Sequence, residues 1–159
     1  MRVEVKALRR KSFEDAPCPI ARSLDAIGDW WSLLIVDEAI SGVRRFSEFQ
    51  RRLGCPKNIL TVRLRRLVAL GVLAVAPASD GSAYQEYVLT EKGRALFLVL
   101  VALRQWGEDH LFGPDPGETV LVDRKGGRPV RKLELRSQDG RVLGPADTTV
   151  THRNGVGSR

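Results

Sequence analysis

The sequence predicts a mostly α fold with one small antiparallel β-hairpin, an α+β arrangement. Three observations carry it. Between residues 18 and 112, apolar residues recur at helical spacing in five separate stretches, the mark of helices with a buried stripe. Two short β-like runs flank a single Asp80-Gly81, a hairpin signal. Gly28, Gly42, Gly54 and Gly71 close four of the helical stretches, as residues just past a helix end commonly do.

Residues 1–17 read as an irregular N-terminal arm ending at Pro17. "CPIARSLDAIG" (18–28) is a short helix with Ile20, Leu24 and Ile27 on one face. "DWWSLLIVDEAISG" (29–42) opens on an N-cap candidate, Asp29, and its apolar residues cover more than half the circumference, which predicts a central, buried helix. Arg44–Phe46 is a short extended lead-in, and "SEFQRRLG" (47–54) is a third short helix capped by Ser47. "CPKN" (55–58) is a tight turn whose Pro56 suits a first helical position. "NILTVRLRRLVALG" (58–71) is the fourth helix, with Leu60, Leu64 and Leu67 in one stripe. "VLAVAP" (72–77) and "AYQEYVL" (83–89) are the strands. "TEKGRALFLVLVALRQWGEDHLF" (90–112) is the longest helix, capped by Thr90, with Leu96, Val99 or Leu100, Leu103 and Trp106 along its stripe.

"GPDPG" (113–117) is a linker. The extension it opens, residues 113–149, is β-like, with turns at 125–127 and 138–140 and an alternating strand at "VRKLELR" (130–136). The tail, 150–159, reads as disordered. Helix, tight turn, helix and a two-stranded wing in that order make a winged helix-turn-helix over residues 18–112.

Charge says what such a domain is for. The chain carries 26 basic and 19 acidic residues, a net charge of +7. Between Arg44 and Arg66 stand eight basic residues and one acid, Glu48, so this stretch alone carries the whole imbalance. A localised excess of one sign is a footprint for a polyanion, although a solvated basic helix face is its bland alternative. At about 100° per residue, Leu60, Leu64 and Leu67 lie together, while Asn58, Val62 and Arg65 lie roughly opposite, flanked by Thr61 and Arg66. The base-reading candidates are therefore Lys57, Asn58, Thr61, Val62 and Arg65: Arg forks onto guanine, Asn pairs with adenine, Thr or Val touches a thymine methyl. Arg44, Arg45, Arg51, Arg52 and Arg66 suit phosphates, which position without reading sequence. Arg63, near the apolar border, serves equally well as a structural brace.

The composition excludes other classes. The longest apolar run, Ala95 to Leu103, falls far short of the ~20 residues that span a bilayer, and the N-terminus lacks a signal-peptide pattern. Two cysteines, Cys18 and Cys55, are too few for a disulfide framework, which points to a reducing cytoplasm. The only histidines are His110 and His152, and no nucleophile elbow, P-loop, dinucleotide motif or metal cluster is present. No enzymatic activity, cofactor or membrane partner is expected.

Several motifs together resemble the HxlR-type transcriptional regulators, relatives of the MarR group. They are "CPIARSLDAIGDWW" (18–31), "RRFSEFQRRL" (44–53), "PKNILTVRLRRLVALGVL" (56–73) and "YVLTEKGRALFLVLVALRQWGEDH" (87–110). The resemblance covers residues 18–112 and implies a homodimer on double-stranded DNA, with Ile20, Leu24, Leu96, Val99, Leu100, Leu103 and Trp106 at the interface; purely intrachain packing is the alternative for each. A two-fold dimer calls for an inverted-repeat operator with half-sites roughly 34 Å apart or a multiple of that. The expected function is a regulator, a repressor released by a small ligand or thiol chemistry; Trp30 or Trp31, with Trp106, are candidates to line a ligand pocket, plain core packing being the alternative for these aromatics.

Two departures stand out. The family wing carries a basic residue at or beside its tip; here the hairpin has Asp80 and Glu86 and no Lys or Arg, which argues against a minor-groove contact. Many relatives end in a zinc-ribbon-like tail, which residues 123–143 resemble in outline. Gly126, Arg136 and Asp139 stand where thiolates would be, so no metal is expected. Cys18, before the first helix, matches the family's oxidant-sensing position. Cys55, in the turn and near Arg51, Arg52 and Lys57, is a second sensor candidate if those cations lower its pKa; inert filler is the alternative for both. The competing function is a winged-helix protein–protein module without sequence-specific DNA binding.

Overall fold

The computed structural model of the chain describes residues 12–114 and 117–151. Most of the expected N-terminal arm, and all of the expected disordered tail but Val150 and Thr151, lie outside the described residues. The chain falls into two compact units, Met1–Leu100 and Val101–Arg159. The division falls inside the last long helix, not at the linker.

The first unit holds α1 (Pro19–Ile27), α2 (Trp30–Ile40), α3 (Phe46–Leu53), α4 (Lys57–Ala69), β1 (Leu73–Pro77), β2 (Gln85–Leu89), α5 (Glu91–Arg94) and the start of α6 (Phe97–His110). Asp29 caps α2 as expected: its Oδ1 accepts from the Ser32 amide at 2.9 Å, and Ser32 Oγ donates to Oδ2 at 2.5 Å. The cap of α3 is Arg45 rather than Ser47. The Glu48 carboxylate reaches back to the Arg45 amide at 3.4 Å, half of a capping box, and starts the helix at Phe46. Pro56 is likewise the N-cap of α4, not its first helical residue: its ψ of 136° is extended, and its carbonyl accepts the first helical bond from Leu60 at 2.9 Å.

The longest predicted helix is two helices. The Thr90 hydroxyl accepts from the Gly93 amide at 3.1 Å and donates to the Gly71 carbonyl at 2.6 Å, and Lys92 Nζ donates to the Leu70 carbonyl at 2.7 Å. Gly93 packs so closely on the chain at Val72 that a Cβ would stand 2.2 Å from that carbonyl oxygen. With α5 tied this way to the end of α4, the Leu96 amide closes on the Gly93 carbonyl at 3.1 Å, a three-residue turn that interrupts the helix before α6.

Ile35, Val36, Val43, Phe49, Leu60, Leu64, Leu67, Val72 and Leu73 form the core. Only one side of α2 belongs to it; Trp30 is 75% exposed and Leu34 46%, and with exposed Asp37 they form an outward stripe, so the expected central, buried helix is buried on one side alone. β1 and β2 pair antiparallel from Leu73↔Leu89 to Pro77↔Gln85. Asp80-Gly81 is not a two-residue hairpin turn. It sits within the connection 78–84, where Gly81 alone takes a positive φ, +75°. Residues 44–46 form no strand, although the Tyr87 amide donates to the Arg44 carbonyl at 2.8 Å.

In the second unit the turns come where the sequence put them, and the strands do not. Gly127 (φ +62°) and Gly140 (φ +88°) shape the two turns, but only single bridges, Val122↔Pro129 and Arg136↔Val142, flank them. Residues 130–136 are exposed on both alternating faces, so the alternation buries nothing and specifies no ladder. Among the described residues no helix is long and apolar enough to cross a membrane.

Candidate nucleic-acid interface

Two opposite needs shape α4. Leu60, Leu64 and Leu67 are fully buried, which fixes the rotation of the helix by the hydrophobic effect. The same rotation turns Lys57, Asn58, Val62 and Arg65 to the outside, with Thr61 half-buried. Val62, 58% exposed, is apolar surface that none of the described residues covers. Thr61 Oγ1 donates to the Lys57 carbonyl at 2.8 Å. The helix–turn–helix itself is closed by Gly54, whose φ of +62° ends α3.

The basic stretch is less bare than its sequence implies. Arg52 Nε pairs with Glu38 at 2.6 Å. Arg66 donates to the Asp25 carbonyl at 2.9 Å and lies 3.8 Å from its carboxylate. Arg63 Nε stands 3.1 Å from Asp29, the cap of α2, a charge pair without the alignment of a hydrogen bond. That is a bracing position. Arg44 and Arg45 both face Glu86, at 3.6 and 3.7 Å, and Arg45 also binds Asp80. Among the described residues, Arg51, Lys57 and Arg65 are the members of the stretch with no ion pair. Sequence reasoning missed the acids that do the pairing, because Glu38, Asp25, Asp29, Asp80 and Glu86 are brought in by tertiary packing and carry no local signal.

The wing is organised around this pairing. Glu86 is only 4% exposed, and its Oε1 accepts from Ser79 Oγ at 3.2 Å. The Arg45 guanidinium lies over the Tyr84 ring, 5.7 Å from its centroid, within cation–π reach. Ser82, whose amide donates to Asp80 Oδ1 at 3.0 Å, and then Arg45 hold the Asp80 carboxyl down at about 2, and Asp80 in turn holds the Arg45 guanidinium above its ordinary range. The acids that set this wing apart from the expected pattern thus face inward onto Arg44 and Arg45.

The cysteines differ. Cys18 is exposed and Cys55 buried. Burial pushes the Cys55 thiol up, and the pull from Arg63 is the smallest of the opposing influences. The expected lowering by Arg51, Arg52 and Lys57 does not occur, because the thiol points into the core and the cations point out. Of the interface candidates, Ile20, Leu24, Val99, Leu103 and Trp106 are exposed, whereas Leu96 and Leu100 are half-buried against the core. Trp30, Trp31 and Leu34 line a shallow recess of about 300 Å³. In the tail, Arg136 binds Glu134 and the Gly140 carbonyl, and Asp139 binds Ser137 and Arg141.

Residues 26–113 match the family model described as HxlR-like helix-turn-helix. The chain belongs to the HxlR-like family. Its winged-helix fold recurs in PA1607, a candidate transcription factor of known crystal structure, at TM-score 0.84 and 55% identity over 89% of this chain and 99% of that one. It also recurs in the redox regulator HypR in its oxidized form, at TM-score 0.53 and 34% identity over 58% of this chain and 97% of that one. An HTH-type transcriptional regulator of Mycobacterium tuberculosis is 46% identical over 96 residues, 60% of this chain and 61% of that protein. The HxlR-like chain thus spans less than two thirds of the length of that relative. The HxlR-like family and these relatives are named as transcriptional regulators, not as enzymes.

Proposed function

We propose that this HxlR-like protein is a cytoplasmic, homodimeric transcriptional repressor that binds an inverted-repeat DNA operator and is released by a small ligand or a thiol-reactive signal. One observation carries the reading. The α4 surface combines Lys57, Asn58, Thr61, Val62 and Arg65 on the side opposite its buried leucines, a set able to fork onto guanine, pair with adenine and touch thymine methyls. Arg51, exposed and with no ion pair among the described residues, is the phosphate contact nearest to readiness. Arg44, Arg45, Arg52 and Arg66 reach phosphates by exchanging their carboxylate partners for them. The uncovered Ile20, Leu24, Val99, Leu103 and Trp106 support pairing with a second copy, since apolar side chains of this size gain by leaving water. Exposed Cys18 supports a thiol signal, in line with the redox regulator among the relatives. The recess at Trp30 and Trp31 supports an effector site.

The test is fluorescence anisotropy of a labelled duplex taken from just upstream of this protein's own coding region. A scrambled duplex is the control, and both are titrated across a salt series. Tight, salt-sensitive preference for the native duplex is the expected result. No binding at low salt would sink the reading and favour a protein-interaction module. Repeating the titration with diamide, on the protein and on Cys18→Ser, checks the thiol signal: release of the first and not the second is expected.

A further inference from the structure

The extension beyond the HxlR-like match contains a second cluster of uncompensated charge. Residues Asp123–Arg128 form a closed turn: the Asp123 amide donates to the Arg128 carbonyl at 2.9 Å, and the Gly127 amide to the Asp123 carbonyl at 2.7 Å. The Asp123 carboxylate accepts from the Lys125 and Gly126 amides at 3.1 and 2.8 Å, so its oxygens are occupied by backbone. Arg124, Lys125, Arg128 and Arg131 are exposed, and among the described residues none of the four forms an ion pair. The contrast with the rest of the extension is sharp: Lys132 pairs with Asp109, Arg136 with Glu134 and Arg141 with Asp139.

The turn is also held firmly. Gln105 on α6 donates from Nε2 to the Arg131 carbonyl at 3.0 Å and accepts from the Leu133 amide at 2.8 Å. It thereby grips the exit of the turn as a neighbouring strand would, and Lys132 adds its pair to Asp109 at 2.5 Å. Three cations on a fixed turn and a fourth, Arg131, at its held exit lose less freedom on meeting a polyanion than four on a mobile tail would. Gly126 and Gly127 leave the backbone without side-chain bulk between them, and only Gly readily takes the φ of +62° found at 127.

We propose that the Asp123–Arg128 turn, with Arg131, is a second contact to the phosphate backbone of duplex DNA, outside the reading helix. It adds affinity without sequence preference. This rests on the DNA-binding reading of α4, and the experiment separates the two. The full chain is titrated against the native and scrambled duplexes across salt, beside a variant carrying Arg124→Gln, Lys125→Gln, Arg128→Gln and Arg131→Gln, and beside Arg65→Gln. Each neutralised phosphate contributes about 0.9 to the slope of log affinity against log salt. The fourfold variant should therefore lose about 3.6 from that slope on both duplexes, with their affinity ratio unchanged, whereas Arg65→Gln should lose the ratio. A charge-preserving set, Arg124→Lys, Arg128→Lys and Arg131→Lys, should keep the slope. If the fourfold variant does not melt cooperatively, Arg124→Gln and Arg128→Gln are read singly, each expected to lower the slope by about 1. An unchanged slope in the neutralised variants, with Arg65→Gln still losing preference, overturns the second contact and leaves the first. No binding by the unaltered chain overturns both.

Discussion

The outer side of α4 and the wing are both rich in polar and charged residues, yet they handle charge in opposite ways. On α4, Lys57 and Arg65 form no ion pair among the described residues, beside an exposed valine, at a helix rotation fixed by three buried leucines. In the wing, Asp80 and Glu86 take up Arg44 and Arg45, and the surface that results is closer to neutral. A count of charges along the sequence separates a basic α4 from an acidic wing, but it does not say which cations of the basic stretch stay unpaired. What distinguishes them is whether an acid from elsewhere in the fold arrives to complete the pair.

The sharpest break is between the two sides of α4 itself. Leu64→Ala removes a fully buried side chain and should cost about 2–5 kcal/mol of stability, read as a lower midpoint in urea. Asn58→Ala and Arg65→Ala should leave that midpoint within about 0.5 kcal/mol. Each should instead lose about 1–3 kcal/mol of preference for the native duplex over the scrambled one. If Arg65→Ala unfolds the protein and Leu64→Ala does not, the assignment of inner and outer sides is wrong.

The buried side of this helix was legible in the sequence, because the spacing of Leu60, Leu64 and Leu67 admits only one inward face. The winged helix-turn-helix order was legible for the same reason, together with its glycine stops. The break between α5 and α6 was not, since Thr90, Lys92 and Gly93 act on carbonyls some twenty residues earlier. The helix period runs through that break unaltered. The strands of the extension were over-read from an alternation that buries nothing. The candidate site was legible as a set of exposed residues and illegible as a charge distribution: Arg52 meets Glu38 and Arg45 meets Asp80 only once the core has assembled.

A smaller effect tests the pairing directly. Arg51 and Arg45 look equivalent in the sequence as phosphate contacts. Because Arg51 has no ion pair among the described residues while Arg45 has two, Arg51→Ala should lower the salt slope of DNA binding by about 1 with little change in stability. Arg45→Ala should lower the slope less and destabilise the protein more, because it strips a partner from buried Glu86. Equal effects on slope would mean that the carboxylates give up Arg45 freely when DNA arrives.

The smallest effect concerns pH, and its sign follows from Asp80. In the fold its carboxyl is held at about 2, below its ordinary 3.8, by Ser82 first and Arg45 second. A carboxyl whose pKa falls on folding stabilises the fold wherever it is ionised, so that contribution is complete above the ordinary value and is lost as pH drops through about 2. The stability difference between the native chain and Asp80→Asn should accordingly be constant from neutrality down to about pH 4 and vanish near pH 2. Urea midpoints measured across that range check it. The same argument means that the Asp80–Arg45 pair does not open with any change of pH near neutrality. If DNA binding varies between pH 6 and 8 in the native chain and in Asp80→Asn alike, the titrating group lies outside the wing, and what releases Arg45 is a competing phosphate rather than a proton.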